Sequence, residues 1–258
     1  MQIRLSGLKA KVGAAIRAFA VFGSCFLTTV SFADEYLAFE QCRQFFANNT
    51  PPVIQHQTEL QPRALCFSAF AVMHSGKSHT PIYVAEKLNK KMLLDAQGNE
   101  RTDQFYEEAR LPQAERAQLE DYRGSGFDRG HMAPAGDMAT DESMAQSFSL
   151  ANVVPQAPIN NRKSWAKIEK DTRKYVMRAA GNVYLITGPV FDGTSHTIGD
   201  SKVWVPTHLF KLVYDPSAQR AWAYWLENSD DSMVGKPISY EELVRRTAIK
   251  FLSGFHQD

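Results

Sequence analysis

The sequence is organised around Gly124-Ser125-Gly126-Phe127-Asp128-Arg129-Gly130-His131-Met132-Ala133-Pro134. Glycine adopts positive φ and allows close approach of the backbone, because it has no Cβ. A histidine in such a glycine-rich loop can present one ring nitrogen outward while its surroundings fix the other, as a general base requires. The stretch therefore predicts a loop with a catalytic histidine. The alternative is a glycine-rich turn with an ordinary packed histidine.

The first 33 residues have the composition of a secretory signal peptide. Four basic residues precede an apolar run over 18–30, and Ser31-Phe32-Ala33 places small residues at a cleavage site. The apolar run is shorter than the roughly twenty residues of a membrane-spanning helix. We therefore predict cleavage after Ala33, a single mature domain over 34–258 with no membrane anchor, and a periplasmic or secreted location.

The mature chain would carry a nearly balanced charge and one pair of cysteines. Without 1–33, 25 basic and 28 acidic residues remain, which argues against a globally basic nucleic-acid coat protein. A polyanion would therefore have to bind a local basic patch. In an exported protein, Cys42 and Cys66 predict a disulfide that joins the N-terminal arm to the first strand. No Cys/His cluster has the spacing of a zinc site.

Apolar runs and turn residues predict strands and helices in mixed order. The predicted strands are 64–74, 80–87, 148–154, 182–191, 202–214 and 221–226, and the predicted helices are 113–119, 141–146, 164–180 and 240–251. Because strands and helices do not alternate regularly, we predict an α+β fold with a mainly antiparallel central sheet flanked by helices. Residues 75–78 lack the earlier glycine of a phosphate-binding P-loop and predict a hairpin turn. The polar stretch 89–119 is expected to be surface with little chemistry.

The predicted helix 164–180 carries two different faces. Trp165 belongs to an apolar face that recurs with the period of a helix. A basic stripe runs along another face, with members Lys163, Lys167, Lys170, Lys174 and Arg178. Such a stripe is either a solvated face or a grip for phosphates, and a neighbouring metal site would favour the second interpretation.

His131, Asn161 and Glu169 form the candidate catalytic constellation. Asn161 follows a strand and a proline break, and Glu169 lies about two turns into the basic helix. Mg²⁺ keeps several waters and needs few protein ligands, so one amide oxygen could hold it. Asn160 competes with Asn161 for this position, and the register favours Asn161.

Two motifs now carry a resemblance to a known family. Residues 122–131, which read YRGSGFDRGH, resemble the DRGH signature of the DNA/RNA non-specific endonucleases, the ββα-metal nucleases that include endonuclease G. Residues 150–156, which read LANVVPQ, resemble the family's metal-binding block together with Asn161, Trp165 and Glu169. The similarity extends over about 65–215 and implies the ββα-metal nuclease fold.

The resemblance implies a role for each matching residue. His131 would be the general base, Asn161 the direct ligand of Mg²⁺, and Glu169 would orient water beside the cation. Arg129 would contact the scissile phosphate, and Asp128 would orient the motif. The implied activity is hydrolysis of DNA and RNA with little sequence preference, leaving 5′-phosphate and 3′-hydroxyl ends, with Mn²⁺ or another divalent cation able to replace Mg²⁺.

Nucleic acid would bind through its phosphate backbone. Lys163 and Lys167 are the candidate substrate-binding lysines beside Arg129. Family members are often dimers, and the sequence leaves open whether this chain forms a homodimer.

One expected departure concerns His79. It is aligned with a turn that often carries a phosphate-neutralising arginine in the family, and a neutral histidine there would remove a permanent charge. His208 is expected to be a packed strand histidine. Two other functions stay open: a nucleic-acid-binding module that has lost catalysis, and a phosphodiesterase or phosphatase for small substrates.

Overall fold

A computed structural model describes residues 38–54, 57–193 and 196–255, with the side chains of 57 and 58 left undescribed. The predicted signal peptide over 1–33 lies outside these residues. Within them, every helix is too short or too polar to cross a membrane.

Twelve strands and five α-helices are found in the described residues. The strands are β1 (Val53–Ile54), β2 (Pro62–Cys66), β3 (Phe70–Ser75), β4 (Thr80–Leu88), β5 (Asp128–His131), β6 (Val153–Gln156), β7 (Val183–Val190), β8 (Thr197–Ile198), β9 (Val203–Trp204), β10 (His208–Asp215), β11 (Arg220–Glu227) and β12 (Ile249–Lys250). The helices are α1 (Lys90–Asp95), α2 (Leu119–Tyr122), α3 (Asp141–Ser147), α4 (Ala166–Val176) and α5 (Tyr240–Thr247).

The central sheet has six strands in the order β11-β10-β7-β4-β3-β2. Every neighbouring pair is antiparallel. The predicted α+β fold with a mainly antiparallel sheet is therefore confirmed. The predicted single strand over 64–74 is wrong, because the chain turns between β2 and β3. The amide of Phe67 donates to the carbonyl of Phe70 at 2.9 Å, and the two rings stack with centroids 4.4 Å apart.

Side chains alternate between the two faces of the sheet and form two cores. Tyr83 packs with Phe210 and Leu243 under α5 and the N-terminal arm. Val84, the next residue along β4, packs with Trp165 and Ile168 of the helical layer on the opposite face. This second face carries α4 and the β5–β6 pair, so the two sequence motifs lie in one layer.

The helical segment predicted over 164–180 begins at Asn160 and ends at Val176. A π-helical turn, Asn160–Trp165, precedes α4, which ends at Val176. Trp165 and Ile168 are buried as predicted. The predicted closing helix over 240–251 ends at Thr247, because Ala248 adopts a left-handed φ of 56°.

The N-terminal arm is attached to the sheet by the predicted disulfide. Cys42 and Cys66 are bonded, with their Cα atoms 5.7 Å apart. Cys66 is the last residue of β2, so the bond joins the arm to an edge strand. The hairpin turn predicted at 75–78 is confirmed between β3 and β4.

Candidate active site

His131 lies on a strand rather than on the predicted loop. It is the last residue of β5, which pairs with β6 in the register His131 to Val153 and Asp128 to Gln156. Gly130 is required by this pairing, because a Cβ there would come within 2.0 Å of Gln156 Oε1. Gly124 and Gly126 have φ of 66° and 83°, so the positive φ predicted for the preceding turn is confirmed.

The His131 imidazole is enclosed by two aromatic rings. The ring centroids of Phe105 and Phe148 lie 5.2 and 5.0 Å from it. The residue is 8% exposed, and its Nε2 atom has no hydrogen-bond partner among the described residues. Burial, reinforced by the positive charge of Arg101, lowers the pKa of His131 to about 3. The imidazole is therefore neutral at physiological pH and has a free lone pair, which a general base needs.

The segment before α2 contributes to the site, contrary to the expectation that 89–119 has little chemistry. Arg129 stacks its guanidinium on Phe105 at 4.3 Å, and Arg101 lies 5.1 Å from the centre of Phe148. Arg101 also pairs with Asp103 at 2.6 Å. The structure therefore places two exposed arginines around His131. Arg101 was missed because it stands in a polar stretch without a motif, and only the contact with Phe148 identifies it.

The two neighbouring asparagines have different environments. Asn160 is fully buried, and its side chain bonds Gln156, the carbonyl of Glu227 and Ser232. Asn161 is half-buried and donates from Nδ2 to Asp128 Oδ2 at 3.0 Å. Its carbonyl oxygen has no hydrogen-bond partner among the described residues. These environments support the preference for Asn161 as the ligand, since the Asn160 amide is already occupied.

Asp128 links the DRGH strand to the start of the basic helix. Its carboxylate accepts from Asn161 and also from Arg162, whose Nε and Nη2 atoms donate at 2.8 and 2.6 Å. Asp128 therefore orients the side chain of Asn161, the candidate metal ligand, in addition to its own segment. His131 and Asn161 are therefore held on one short strand and one helix start.

Glu169 projects from α4 into a cluster of buried charges. The residue is partly exposed, yet burial of its carboxylate raises its pKa to about 7, and the negative charge of Asp137 adds to this shift. Arg173, one turn further along α4, donates to Asp137 at 3.0 Å. Lys211 is buried on β10 and donates to Thr187 at 2.7 Å. Arg173 was missed by the sequence analysis, although its spacing of four residues from Glu169 puts both on one helix face.

His79 does not join this group. Its φ is 58°, and it borders a cavity lined by Gln113, Gln118 and Asp200. Burial lowers the pKa of His79, while the charges that oppose the shift belong to Asp121 and Glu115. The neighbours that act on His131 are a different set. The alignment of His79 with a phosphate-neutralising arginine stays a prediction, and Arg101 and Arg129 are the permanent positive charges that act on His131.

The remaining sequence predictions concern exposed residues and His208. Lys163 and Lys167 are exposed along α4 and its preceding turn, and Lys167 forms an ion pair with Asp171. The other members of the basic stripe, Lys170, Lys174 and Arg178, are exposed as well. His208 lies at the start of β10, where Nδ1 contacts Thr207 Oγ1 at 3.2 Å.

The donor set fits a cation that needs few protein ligands. In the described part of the chain, no group of three or more His, Cys, Asp or Glu residues could hold a metal ion. The carbonyl oxygen of Asn161 and the carboxylate of Glu169 are hard oxygen donors of the kind that Mg²⁺ prefers. Burial is the main cause of the raised pKa of Glu169, and a cation beside the carboxylate would favour its charged form.

Comparison with known proteins gives a consistent result. The family model described as DNA/RNA non-specific endonuclease matches residues 49–258. Nuclease C1 of Cunninghamella echinulata var. echinulata is 35% identical over 168 residues, which cover 60% of this chain and 66% of that protein. Mitochondrial Endonuclease G of Bos taurus is 36% identical over 157 residues, which cover 57% of this chain and 52% of that protein. The chain thus spans about half to two-thirds of these relatives.

A solved structure supports the same assignment. The crystal structure of an EndoG/EndoGI complex, described as showing the mechanism of EndoG inhibition, superposes with a TM-score of 0.69 and 25% identity. The match covers 82% of this chain and 89% of the other. With the family model matching most of the sequence, this chain belongs to the DNA/RNA non-specific endonuclease family.

Proposed function

We propose that the chain is an exported endonuclease that depends on a divalent metal ion and hydrolyses phosphodiester bonds of DNA and RNA with little sequence preference. One observation carries this proposal. Asp128 and His131 lie on the same strand, β5, and Asp128 binds the half-buried amide of Asn161 before α4. The neutral, buried imidazole of His131 is therefore connected to that amide through Asp128. Family membership supports the same reaction class.

Each site residue has a role in this proposal. His131 takes the proton of the attacking water through its unpaired Nε2, and because this atom is buried, Phe105 or a neighbouring group must move to admit the water. Arg129 and Arg101 bind the phosphate oxygens. Glu169 accepts hydrogen bonds from water beside the cation, and Lys163 and Lys167 bind neighbouring phosphates of the backbone.

Asn161 would hold the cation, which we propose to be Mg²⁺, with Mn²⁺ or another divalent ion as a substitute. When bound, the ion supplies Lewis-acid stabilisation of negative charge on the phosphate and on the leaving 3′ oxygen. The expected products carry 5′-phosphate and 3′-hydroxyl ends.

Nicking of supercoiled plasmid tests this proposal. The mature protein should nick plasmid when Mg²⁺ is present, and nicking should cease in EDTA. The nicking rates of His131→Ala and Asn161→Ala should each be at least about 100-fold lower, as expected for loss of a general base or of metal ligation. Circular dichroism melts should show that both variants stay folded. Undiminished nicking by His131→Ala would remove His131 from the mechanism.

Two comparisons separate the proposal from its alternatives. A protein that binds plasmid and RNA but cleaves neither, with several divalent metals, would be a binding module. A phosphodiesterase for small substrates would prefer a small chromogenic diester to plasmid, whereas an endonuclease should strongly prefer the polymer.

Export and assembly have their own tests. Mass spectrometry of the protein recovered outside the cytoplasm should give a chain that begins at Asp34, and retention of residues 1–33 would contradict the proposed processing. The Cys42–Cys66 disulfide supports an oxidising location. Sedimentation velocity of the mature protein tests whether it forms a homodimer.

A further inference from the structure

A second cationic surface lies beyond the candidate active site. An open groove of about 650 Å³ runs between the second half of α4, the edge strand β11 and the segment before α5. We call it the α4–β11 groove. It is lined by Lys174, Arg178, Arg220 and Lys236, together with Tyr175 and Trp222.

The charges of the groove favour a polyanion. All four of its lysine and arginine residues are exposed, and Asp171 is the one acidic residue among those lining it. Asp171 pairs with Lys167 and, at 3.3 Å, with Lys174. Arg178, Arg220 and Lys236 form no ion pair with the acidic residue of the groove. The neighbouring Asp215, opposite Arg220 in the sheet, is buried and accepts a hydrogen bond from Tyr175 at 2.8 Å. Such a local surplus contrasts with the balanced charge of the mature chain.

Aromatic side chains lie between these cations. Tyr175 and Trp222 meet edge to face with ring centroids 4.7 Å apart, and the Arg220 guanidinium lies 5.0 Å from the Trp222 ring. Trp222 is half-buried, so part of its surface faces the groove. Cations interleaved with aromatic and guanidinium planes are typical of sites for single-stranded nucleic acid, because unpaired bases expose faces that can stack.

The basic stripe connects the groove to the candidate metal ligand. Lys163, Lys167 and Lys170 are exposed between Asn161 and the groove residues Lys174 and Arg178. Fifteen residues along the helix separate Asn161 from Val176, the end of α4, a rise of roughly 20 Å, and Arg178 follows two residues later. A single strand of several nucleotides is needed to cover this distance.

We propose that the α4–β11 groove binds a single-stranded continuation of the substrate, several nucleotides from the scissile phosphate. This inference rests on the proposed function, because it takes the cleavage site to lie at His131 and Asn161. The groove supplies affinity for long strands and does not take part in the chemistry.

Oligonucleotide binding to the mature protein in EDTA tests the proposal without cleavage. The probes are fluorescein-labelled dT20, dT4 and a 20-base-pair duplex, measured by anisotropy over a range of salt concentrations. The double variant Arg178→Gln/Lys236→Gln should weaken dT20 binding about 5- to 10-fold and dT4 binding less, because only dT20 is long enough to occupy the groove and the candidate active site together. For this variant, the slope of log K for dT20 binding against the log of the salt concentration should be smaller in magnitude by about 1.4, because two phosphate contacts to a single strand are lost.

The matched control is Lys77→Gln/Lys250→Gln, which removes two exposed lysines that do not line the groove. It should keep the parent's affinity and salt slope. Trp222→Phe provides a second measurement, because a stacked base should quench Trp222 fluorescence. The quenching by dT20 should fall in this variant while its affinity is retained, since phenylalanine also stacks.

Each outcome has a defined meaning. Unchanged dT20 affinity and salt slope in the groove variant would overturn the proposal, and a greater loss for the duplex than for dT20 would overturn the single-strand assignment. Because binding in EDTA does not require cleavage, failure of the plasmid assay with intact groove dependence would contradict the proposed function alone. An active enzyme without groove dependence would contradict this inference alone.

Discussion

At the scale of single residues, buried histidines connect stability to pH. His74 is fully buried on β3, and its Nε2 atom is 2.8 Å from the carbonyl oxygen of Glu115. Burial lowers the pKa of His74 to about 4 and, together with Arg101, that of His131 to about 3. Both rings stay neutral in the folded protein, whereas the unfolded chain protonates them near pH 6.5. The unfolded state therefore binds more protons below pH 6.5, and the free energy of unfolding falls as the pH falls.

His74→Gln should reduce this pH dependence. As the pH falls from 6.5 to about 4, the free energy of unfolding should decrease less in the variant than in the parent. The difference should be up to about 1.4 kcal/mol per pH unit, because one group with a lowered pKa has been removed. Urea unfolding at several pH values measures the difference. His196→Gln, which changes an exposed histidine, should run parallel to the parent. Parallel curves for His74→Gln would contradict the prediction.

Asp128 is the residue that orients the candidate metal ligand. Asp128→Ala removes the acceptor for Asn161 Nδ2, so the amide loses its fixed orientation. We expect the Mg²⁺ concentration for half-maximal plasmid nicking to rise about 10- to 100-fold, the usual effect of losing a residue that supports a metal ligand.

Arg162→Gln is the matched control for Asp128→Ala. It removes the ion pair with Asp128 but leaves the carboxylate that holds Asn161. Arg162 is largely exposed, so its pair should contribute little, and the metal requirement should change less than twofold. Equal increases in the Mg²⁺ requirement of the two variants would show that the ion pair between Arg162 and Asp128, rather than the hydrogen bond from Asn161 to Asp128, supports metal binding.

At the scale of elements, α4 carries both the candidate site residue Glu169 and Arg173, which belongs to a cluster of buried charges. Arg173 neutralises Asp137, whose carboxylate is buried and has a raised pKa because of that burial. Arg173→Ala should lower the free energy of unfolding by about 3 kcal/mol, because it leaves a buried charge unpaired. Chemical denaturation measures the loss, and Lys170→Ala, an exposed change on the same helix, should stay within about 0.5 kcal/mol of the parent.

A double variant identifies the cause of that loss. Adding Asp137→Asn to Arg173→Ala removes the unpaired carboxylate, so part of the stability should return. Additive losses in the double variant would show that Arg173 acts through packing rather than through its pair with Asp137.

At the scale of the whole molecule, the disulfide fixes the N-terminal arm on the sheet. Cys42 and Cys66 are separated by 24 residues, and closing such a loop contributes about 3 kcal/mol in the chain-entropy description. Cys42→Ala/Cys66→Ala should therefore lower the free energy of unfolding by about this amount. Dithiothreitol should lower the melting temperature of the parent but not of the variant, and equal shifts in both would contradict the prediction.

The sequence by itself determined the fold class, the disulfide and three members of the candidate site. The DRGH motif, the spacing to Asn161 and the position of Glu169 are local in the chain, and Cys42 and Cys66 form the one cysteine pair after residue 33. The alternation and helical periods that mark a core are local as well. These features need no knowledge of which distant segments meet.

Tertiary structure decided the surroundings that give those residues their chemistry. Phe105 contacts His131, and Arg101 contacts the adjoining Phe148, both from a polar segment without periodicity. Asp128 meets Asn161 across 33 positions of sequence. The burial that lowers the pKa of His131 and raises that of Glu169 arises from several elements packing together. Desolvation depends on all neighbours in space, whereas a motif records only neighbours in the chain, so these properties appear only once the chain has folded.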